Sequence, residues 1–385
     1  MKILFGADMS FNYMPCFPGN ENVHKAMETV AEKIKSADFS IVNLENIYGN
    51  KEDFVPIPKC GPNLISQDEF VEYIKALNPS VVGLANNHTG DFGEEAVFHT
   101  FDVLNKEGYP FIGAGANIYE AYKPYICSKD GVEVGIIAVC ENEFGGAKEN
   151  KAGSAGYNFT LLSKGIKDLL AKGIYPVIYF HGGNETNPFP SPGKKELYRR
   201  FIDMGAKAVV AMHTHCPQGY EIYEDCPIVY SMGNFFFPAV REGDQSTWFC
   251  GYMTEINFEK EKTELKIYPY KFDFDGIYFL FGDALDKFNK YIDRLSAVIA
   301  DDKALSAYFD AWCARYGYDY AKNHMRFSEE MLKDNSQMSA GPRNLYTCEA
   351  HNELVKNFYV LCYENRVEEA KVLLKEIEEL QSVMF

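Results

Sequence analysis

The stretch Ala208-Val209-Val210-Ala211-Met212-His213-Thr214-His215 joins five consecutive apolar residues to a His-x-His pair. A short, unbroken apolar run of this kind reads as a strand buried on both faces. Its carboxyl end carries side chains able to ligate a metal. The same arrangement recurs along the chain. Lys2 to Ala7 runs into Asp8, Phe39 to Leu44 into Glu45, and Val81 to Ala85 into Asn86-Asn87-His88. Tyr175 to Phe180 runs into His181, followed by Gly182-Gly183-Asn184-Glu185, and Ile228 to Ser231 runs into Met232-Gly233-Asn234. Val134 to Val139 is a further strand-like run. Helix-like segments follow Asn22, Gln67, Phe92 and Gly193. Strands alternating with helices predict an α/β core, in which functional groups gather beyond the carboxyl ends of the strands.

Beyond residue 250 the pattern changes. Thr254 to Phe274 contains two alternating runs around a charged turn and predicts an antiparallel hairpin. After Gly282 apolar residues recur at helical spacing, as at Leu285, Phe288, Tyr291, Ile292 and Leu295. We therefore expect one α/β domain over residues 1–279 and a helical region over 280–385, with the polar stretch Asp334 to Arg343, which holds Gly341-Pro342, as a loop or linker. The helical region is expected to support the core; a homo-oligomer contact is its other natural use.

Composition narrows the function. With 385 residues there is ample material for a buried core. A formal net charge of −17, without any Lys/Arg-rich run, predicts no nucleic-acid partner. No stretch reaches the roughly 18 apolar residues of a membrane helix. The apolar start is too short for a secretory signal, and ten scattered cysteines show no framework spacing. These features predict a cytoplasmic protein with reduced thiols.

Singly, each strand-end residue has an ordinary explanation. An Asp caps the next helix, an Asn-Asn pair makes a turn, and a His is hydrogen-bonded structure. Met232-Gly233-Asn234 reads equally as a turn or as site lining, and Cys216 and Cys226 read as packing residues. Together, two carboxylates, an amide and three histidines at successive strand ends exceed what capping requires. In an extended segment residues i and i+2 point the same way, so His213 and His215 are expected to face a common centre. Imidazole with carboxylate suits Zn, Mn or Fe better than Ca. Glu45 could bridge two ions, and a pair roughly 3.5–4 Å apart supports phosphoryl transfer.

The motifs Gly6-Ala7-Asp8, Asn43-Leu44-Glu45, Leu84-Ala85-Asn86-Asn87-His88 with Asp91 and Gly93, Gly113-Ala114-Gly115, His181 with Glu185, His213-x-His215 and Tyr230-Ser231-x-Gly233-Asn234-Phe235 resemble, in order, those of the CapA family of capsule and poly-γ-glutamate synthesis. CapA-type domains are in turn similar to calcineurin-like metallophosphoesterases. The resemblance implies a four-layer αββα sandwich. It implies that Asp8, Glu45, Asn87, His181, His213 and His215 hold two divalent transition-metal ions (Mn, Fe or Zn). It makes His88 a proton donor to a leaving group, supported by Asp91, and places Asn86, Glu185 and Asn234 in the surrounding shell or against substrate. Glu185 would orient His181 as Asp91 orients His88. Ser10 stands where the phosphoesterases have a histidine, and Glu45 where they have an aspartate, so one ion should be held weakly. The implied activity is metal-dependent hydrolysis of an anionic small molecule or polymer, at a phosphoester or, less directly, an amide bond. The other class of reading is a non-catalytic accessory or polymer-binding protein in capsule or poly-γ-glutamate synthesis.

Overall fold

The protein is described here from a computed structural model, which covers residues 1–240, 246–259, 262–324, 329–332 and 337–385. The first strand, Lys2–Met9 (β1), buries every residue after Lys2. Helix Asn20–Lys35 (α1) returns the chain to Phe39–Leu44 (β2), which pairs parallel to β1. Helix Val71–Leu77 (α2) precedes Val81–Gly83 (β3), and helix Gly93–Lys106 (α3) precedes Phe111–Ile112 (β4); both strands extend the sheet in parallel. Parallel neighbours joined by crossover helices are covered on both faces. This is why these strands read as solid apolar runs rather than as alternations.

A second sheet follows. Tyr125–Lys129 (β5) and Val132–Cys140 (β6) form a hairpin, and helix Phe159–Leu170 (α4) leads to Tyr175–His181 (β7). Helix Pro192–Asp203 (α5) begins where the Ser191 hydroxyl accepts from the Lys194 N–H and Pro192 occupies the first turn. It leads to Ala208–Met212 (β8), then to Tyr220–Tyr223 (β9) and Cys226–Val229 (β10). The order is β9-β10-β8-β7-β6-β5, antiparallel at both edges and parallel within. The chain then rejoins the first sheet through Asn234–Phe236 (β11), which pairs with β1. The predicted hairpin forms as Cys250–Phe258 (β12) and Thr263–Phe272 (β13), with Ile277–Phe279 (β14) outside it.

The sheets meet face to face. The Tyr179 hydroxyl of β7 donates to the Gly6 carbonyl of β1 at 2.6 Å. Gly83 of β3 needs its lack of a side chain, because an added Cβ would lie 2.9 Å from the Tyr179 ring. Helices α4 and α5 cover the far side of the second sheet, and α1 lies with α2 and β14 beside the first. The result is an α/β four-layer αββα sandwich whose β1, β2, β3, β7 and β8 all end at one edge.

From Gly282 the chain is helical: Gly282–Ala300 (α6), Asp302–His324 (α7), Gln337–Thr347 (α8), Glu349–Tyr363 (α9) and Leu374–Gln381 (α10). Leu295, Trp312, Leu354 and Leu380 belong to the same continuous apolar core as Ile3 and Val210. The expected linker is corrected here. Residues 337–343 lie in α8 with Pro342 inside it, while 334–336 fall outside the described residues. Burial of Ala340, Leu345 and Cys348 outweighs the local preference of Gly-Pro for a turn. No helix among the described residues is long and apolar enough to cross a membrane. All ten cysteines are free thiols, and Cys216 and Cys226 are buried as packing residues.

The inter-sheet bond gives a test of this arrangement. Tyr179→Phe should lower unfolding stability by about 1–3 kcal/mol, the usual cost of leaving a buried partner unmet. Urea denaturation would read the change; an unaltered midpoint would mean the bond adds nothing to sheet packing.

Candidate metal centre

Asp8 lies inside β1, not beyond it. Pairing of β1 with β2 shifts register between Phe5 and Asp8, and pairing with β11 shifts between Asp8 and Met9. Such irregularities re-aim a side chain out of the regular pleat. The Asp8 carboxylate is then fixed from two sides. Oδ1 accepts from the Asn43 amide at 2.7 Å, and Oδ2 accepts from the His213 backbone N–H at 2.8 Å. Glu45 follows β2, with its N–H donating to the Met9 carbonyl at 2.7 Å. The Asn86–Asp91 loop is tied to the same place. The Asn86 amide donates to the Leu44 carbonyl at 2.8 Å, and its oxygen accepts from the His88 N–H at 3.1 Å. Asn86 is therefore a strut for the loop, in a position to set where Asn87 and His88 stand.

His181 is the last residue of β7. His213 and His215 lie past the end of β8, and the expectation that they sit in extended backbone is corrected: their φ angles are 101° and 54°. Left-handed backbone is costly for residues with a Cβ and persists where the surroundings over-determine it, here through the His213 N–H bond to Asp8. Their ring centroids are 5.9 Å apart, and that of His213 lies 4.5 Å from His181.

All of these side chains are buried. Around Glu45 they form two groups whose ligand atoms lie within 4.8 Å of one another: Glu45 with His181 and His213, and Asp8 with Glu45 and His215. Glu45 Oε1 is 3.3 Å from His181 Nε2 and 3.9 Å from His215 Nε2, and Asp8 Oδ1 is 3.5 Å from His181 Nε2. Both Glu45 oxygens, Asn87 Oδ1, His181 Nε2 and His213 Nδ1 are buried without a hydrogen-bond partner among the described residues. Burial, reinforced by the nearby Glu45 carboxyl, pushes the Asp8 carboxyl well above the usual range. Glu45 is pushed up to about 8, by burial above all. Burial likewise drives His181 and His213 well below the ordinary imidazole value, leaving lone pairs unprotonated. Carboxyl oxygens and neutral imidazole nitrogens buried together in this way are costly alone and form a donor set that a divalent cation satisfies, so the residues fit a metal.

Two supporting contacts set ring orientation. His215 Nδ1 is 2.8 Å from Asn234 Oδ1, while the Asn234 amide nitrogen donates to the Trp248 carbonyl at 3.1 Å. Since that nitrogen is committed, Nδ1–H donates to the amide oxygen and Nε2 carries the lone pair towards Glu45. Asn234 thus opens the short strand β11 and lines the site. Glu185 makes no hydrogen bond to His181 among the described residues; its side chain reaches solvent, yet its carboxyl stays within electrostatic reach of His215, His213 and His88.

His88 Nδ1 is 2.6 Å from Asp91 Oδ2, and its Nε2 is 3.9 Å from Glu45 Oε1. Asp91 also accepts from the Leu64 N–H at 2.7 Å and from Lys59 at 2.6 Å. Lys59, buried with its ammonium 3.2 Å from His88 Nδ1, is a residue the sequence reading missed. Burial, then the Lys59 charge, lowers the His88 pKa against the pull of Asp91. Nothing local marked Lys59, which reaches the site from the loop before α2. Glu143 was also missed: its Oε1 lies 3.6 Å from His213 Nε2. Here a signal existed, since Glu141 and Glu143 follow the end of β6 as the other ligand candidates follow their strands. Asn43, which holds Asp8, was passed over because it points inward one residue before a strand end.

The raised Glu45 value has a defined sign in metal-free protein. A carboxyl at about 8 when folded and near 4.5 ordinarily binds its proton more tightly in the folded state. Its contribution to stability is complete below the ordinary value and is lost as pH rises through the folded one. In chelator-treated samples the melting temperature of wild type should therefore fall relative to Glu45→Gln between about pH 5 and 8.5. A constant difference would show that Glu45 is already ionised and compensated by the protein alone.

The sequence profile of the family described as bacterial capsule synthesis protein PGA_cap matches residues 10–239, more than half of the chain. The capsule biosynthesis protein CapA of Bacillus anthracis is 28% identical over 222 residues, covering 54% of this chain and 52% of that protein. The PGA biosynthesis protein CapA of Bacillus subtilis (strain 168) is 26% identical over 222 residues, 57% of each chain. The chain thus spans about half the length of the curated relatives it matches. A solved putative 5'-nucleotidase from Staphylococcus aureus superposes at a TM-score of 0.46 and 13% identity, over 76% of this chain and 58% of that one, too loosely to carry an argument. By the match over residues 10–239, this chain is a member of the bacterial capsule synthesis family PGA_cap.

Proposed function

We propose that this chain is a metal-dependent hydrolase of the metallophosphoesterase type, serving capsule, polyglutamate or other cell-surface polymer metabolism. The observation that carries the reading is the buried, hydrogen-bond-free Glu45 carboxylate shared by two ligand groups. Asp8, Glu45 and His215 would hold one divalent ion, and Glu45, Asn87, His181 and His213 a second, with Mn, Fe or Zn favoured by the imidazole and carboxylate donors. When bound, such a pair supplies Lewis acidity and lowers the pKa of water. Ser10, whose buried hydroxyl has no partner, adds no nitrogen to the Asp8 side, so that ion should be held more weakly.

The chain's own groups do the rest. The bulge at Asp8 and the left-handed turn at His213 and His215 hold the ligands rigidly, which keeps reacting groups in register. His88 turns Nε2 towards the Glu45 side, while Asp91 holds Nδ1 and Lys59 holds Asp91. Nε2 is the atom placed to exchange a proton with a leaving group. An accessory, polymer-binding role is the second reading, and Ser10 in place of a histidine is what favours it.

Metal analysis of the purified protein, followed by assay on generic phosphoesters and glutamyl peptides, decides between them. On the hydrolase reading His88→Ala keeps its metal and loses roughly 10²–10⁴-fold in rate, with a smaller loss on nitrophenyl esters, whose leaving groups need little protonation. His213→Ala loses metal and activity together. Metal-loaded wild type inert on every substrate class would favour the accessory role, and metal loss in His88→Ala would make that residue a ligand.

A further inference from the structure

Beside the metal centre lies a cavity of about 390 Å³, within the range of small-molecule sites. One wall is the segment after β6, including Glu143, Phe144 and Lys148; a second is Tyr157 and Asn158; the third is α8, through Arg343 and Thr347. Glu143 joins the cavity to the centre. Its carboxyl lies 3.6 Å from His213 Nε2, and its backbone carbonyl accepts from the Arg343 guanidinium at 2.8 Å. The guanidinium carbon is 5.3 Å from the centroid of the Phe144 ring, so stacking and one hydrogen bond fix the group and leave its remaining donors available.

Charge on these walls is unbalanced. Among the described residues neither Arg343 nor Lys148 pairs with a carboxylate, although the chain as a whole carries a net charge of −17. Of the two wall carboxylates, Glu141 is matched by Lys194 and by the Gly183 N–H at 3.0 Å. Glu143 is directed to His213 and to Asn344. The Tyr157 hydroxyl, also on the wall, bonds to no described residue and adds a neutral donor.

We infer that this cavity is an oxyanion subsite, in which Arg343 and Lys148 take a carboxylate or phosphate group of the substrate while the adjoining bond lies at the metal centre. The inference rests on the hydrolase reading and adds a substrate group to it. A planar guanidinium matches either oxyanion with two parallel N–H donors, which an ammonium cannot do. Arg343 lies outside the segment matched by the family profile, so this anchor is a property of the helical region and not of the shared domain. That region thereby acquires a role in substrate selection as well as in support.

The test is calorimetric titration of the full chain with inorganic phosphate and with a short γ-glutamyl peptide, alongside a separate Mn²⁺ titration. Arg343→Ala should weaken binding of at least one probe on the order of 10–100-fold, the usual scale for a charge-assisted hydrogen-bonded pair. Arg343→Lys should weaken it less, and Lys148→Ala should add to either. Loss confined to phosphate assigns the subsite to a phosphate group; loss confined to the peptide assigns it to a carboxylate. Lys148→Ala should leave the melting temperature unmoved, because that side chain is exposed, while Arg343→Ala should lose only what its bond to the Glu143 carbonyl and its contact with Phe144 supply. Wild type binding neither probe, or the Arg343→Ala, Lys148→Ala double variant binding both as wild type does, overturns the subsite. Unchanged Mn²⁺ binding beside that second result leaves the hydrolase reading standing. A chain that binds no Mn²⁺ but still loses anion affinity with Arg343 keeps the subsite and sinks the hydrolase reading.

Discussion

Two carboxyl groups, Asp8 and Glu45, are buried at the edge where the two sheets meet, and among the described residues no Lys or Arg is in contact with either. Keeping such groups out of water is expensive unless their charge is met. The rest of the site follows from that constraint. Asn43 and the His213 N–H meet Asp8, but both Glu45 oxygens are left without a hydrogen bond. Around them stand imidazoles held neutral by burial, which are poor partners for each other and good partners for a metal ion. Acidic oxygen and neutral nitrogen are thus gathered into groups of the kind that could hold a divalent cation.

The backbone accepts strain to achieve this. His213 and His215 occupy left-handed conformations, and β1 breaks register at Asp8. Each aims a side chain at Glu45, and each is held by contacts from another part of the chain: Asp8 holds His213, and Asn234, itself anchored to Trp248, holds His215. For His215 the bond to Asn234 pre-sets which nitrogen carries the lone pair, so little rearrangement is needed for ligation there.

The helical region completes the enclosure. Glu349 accepts from both the backbone and side-chain N–H groups of Asn142, and Glu353 accepts from the Gly193 N–H and the Ser191 hydroxyl, so α9 is bolted to the loops that border the centre. Gln381 donates to the Thr186 carbonyl at 2.8 Å. Because these contacts are to loops beyond the strand ends, residues near the C-terminus are brought beside groups nearly 200 positions earlier. The shared apolar core, running from Ile3 to Leu380, makes the region part of the same folded unit.

Sequence alone determined the strands at the centre of the two sheets, because strands covered on both faces must be solidly apolar, and it marked the ligand candidates, because polar residues at the ends of such strands stand out against that background. The hairpin from Thr254 and the helical character after Gly282 were legible from period alone. Edge strands such as β5 and β9 were not, since half-exposed strands carry a weaker pattern. Only the tertiary structure decided that His213 and His215 converge through a strained turn and not through an extended one, because the His213 backbone is held by Asp8 from 205 residues away. It also brought Lys59 to Asp91 and Arg343 to Glu143. Local sequence records what each segment prefers, whereas these placements depend on which groups are left facing one another after the two sheets and the C-terminal helices have packed.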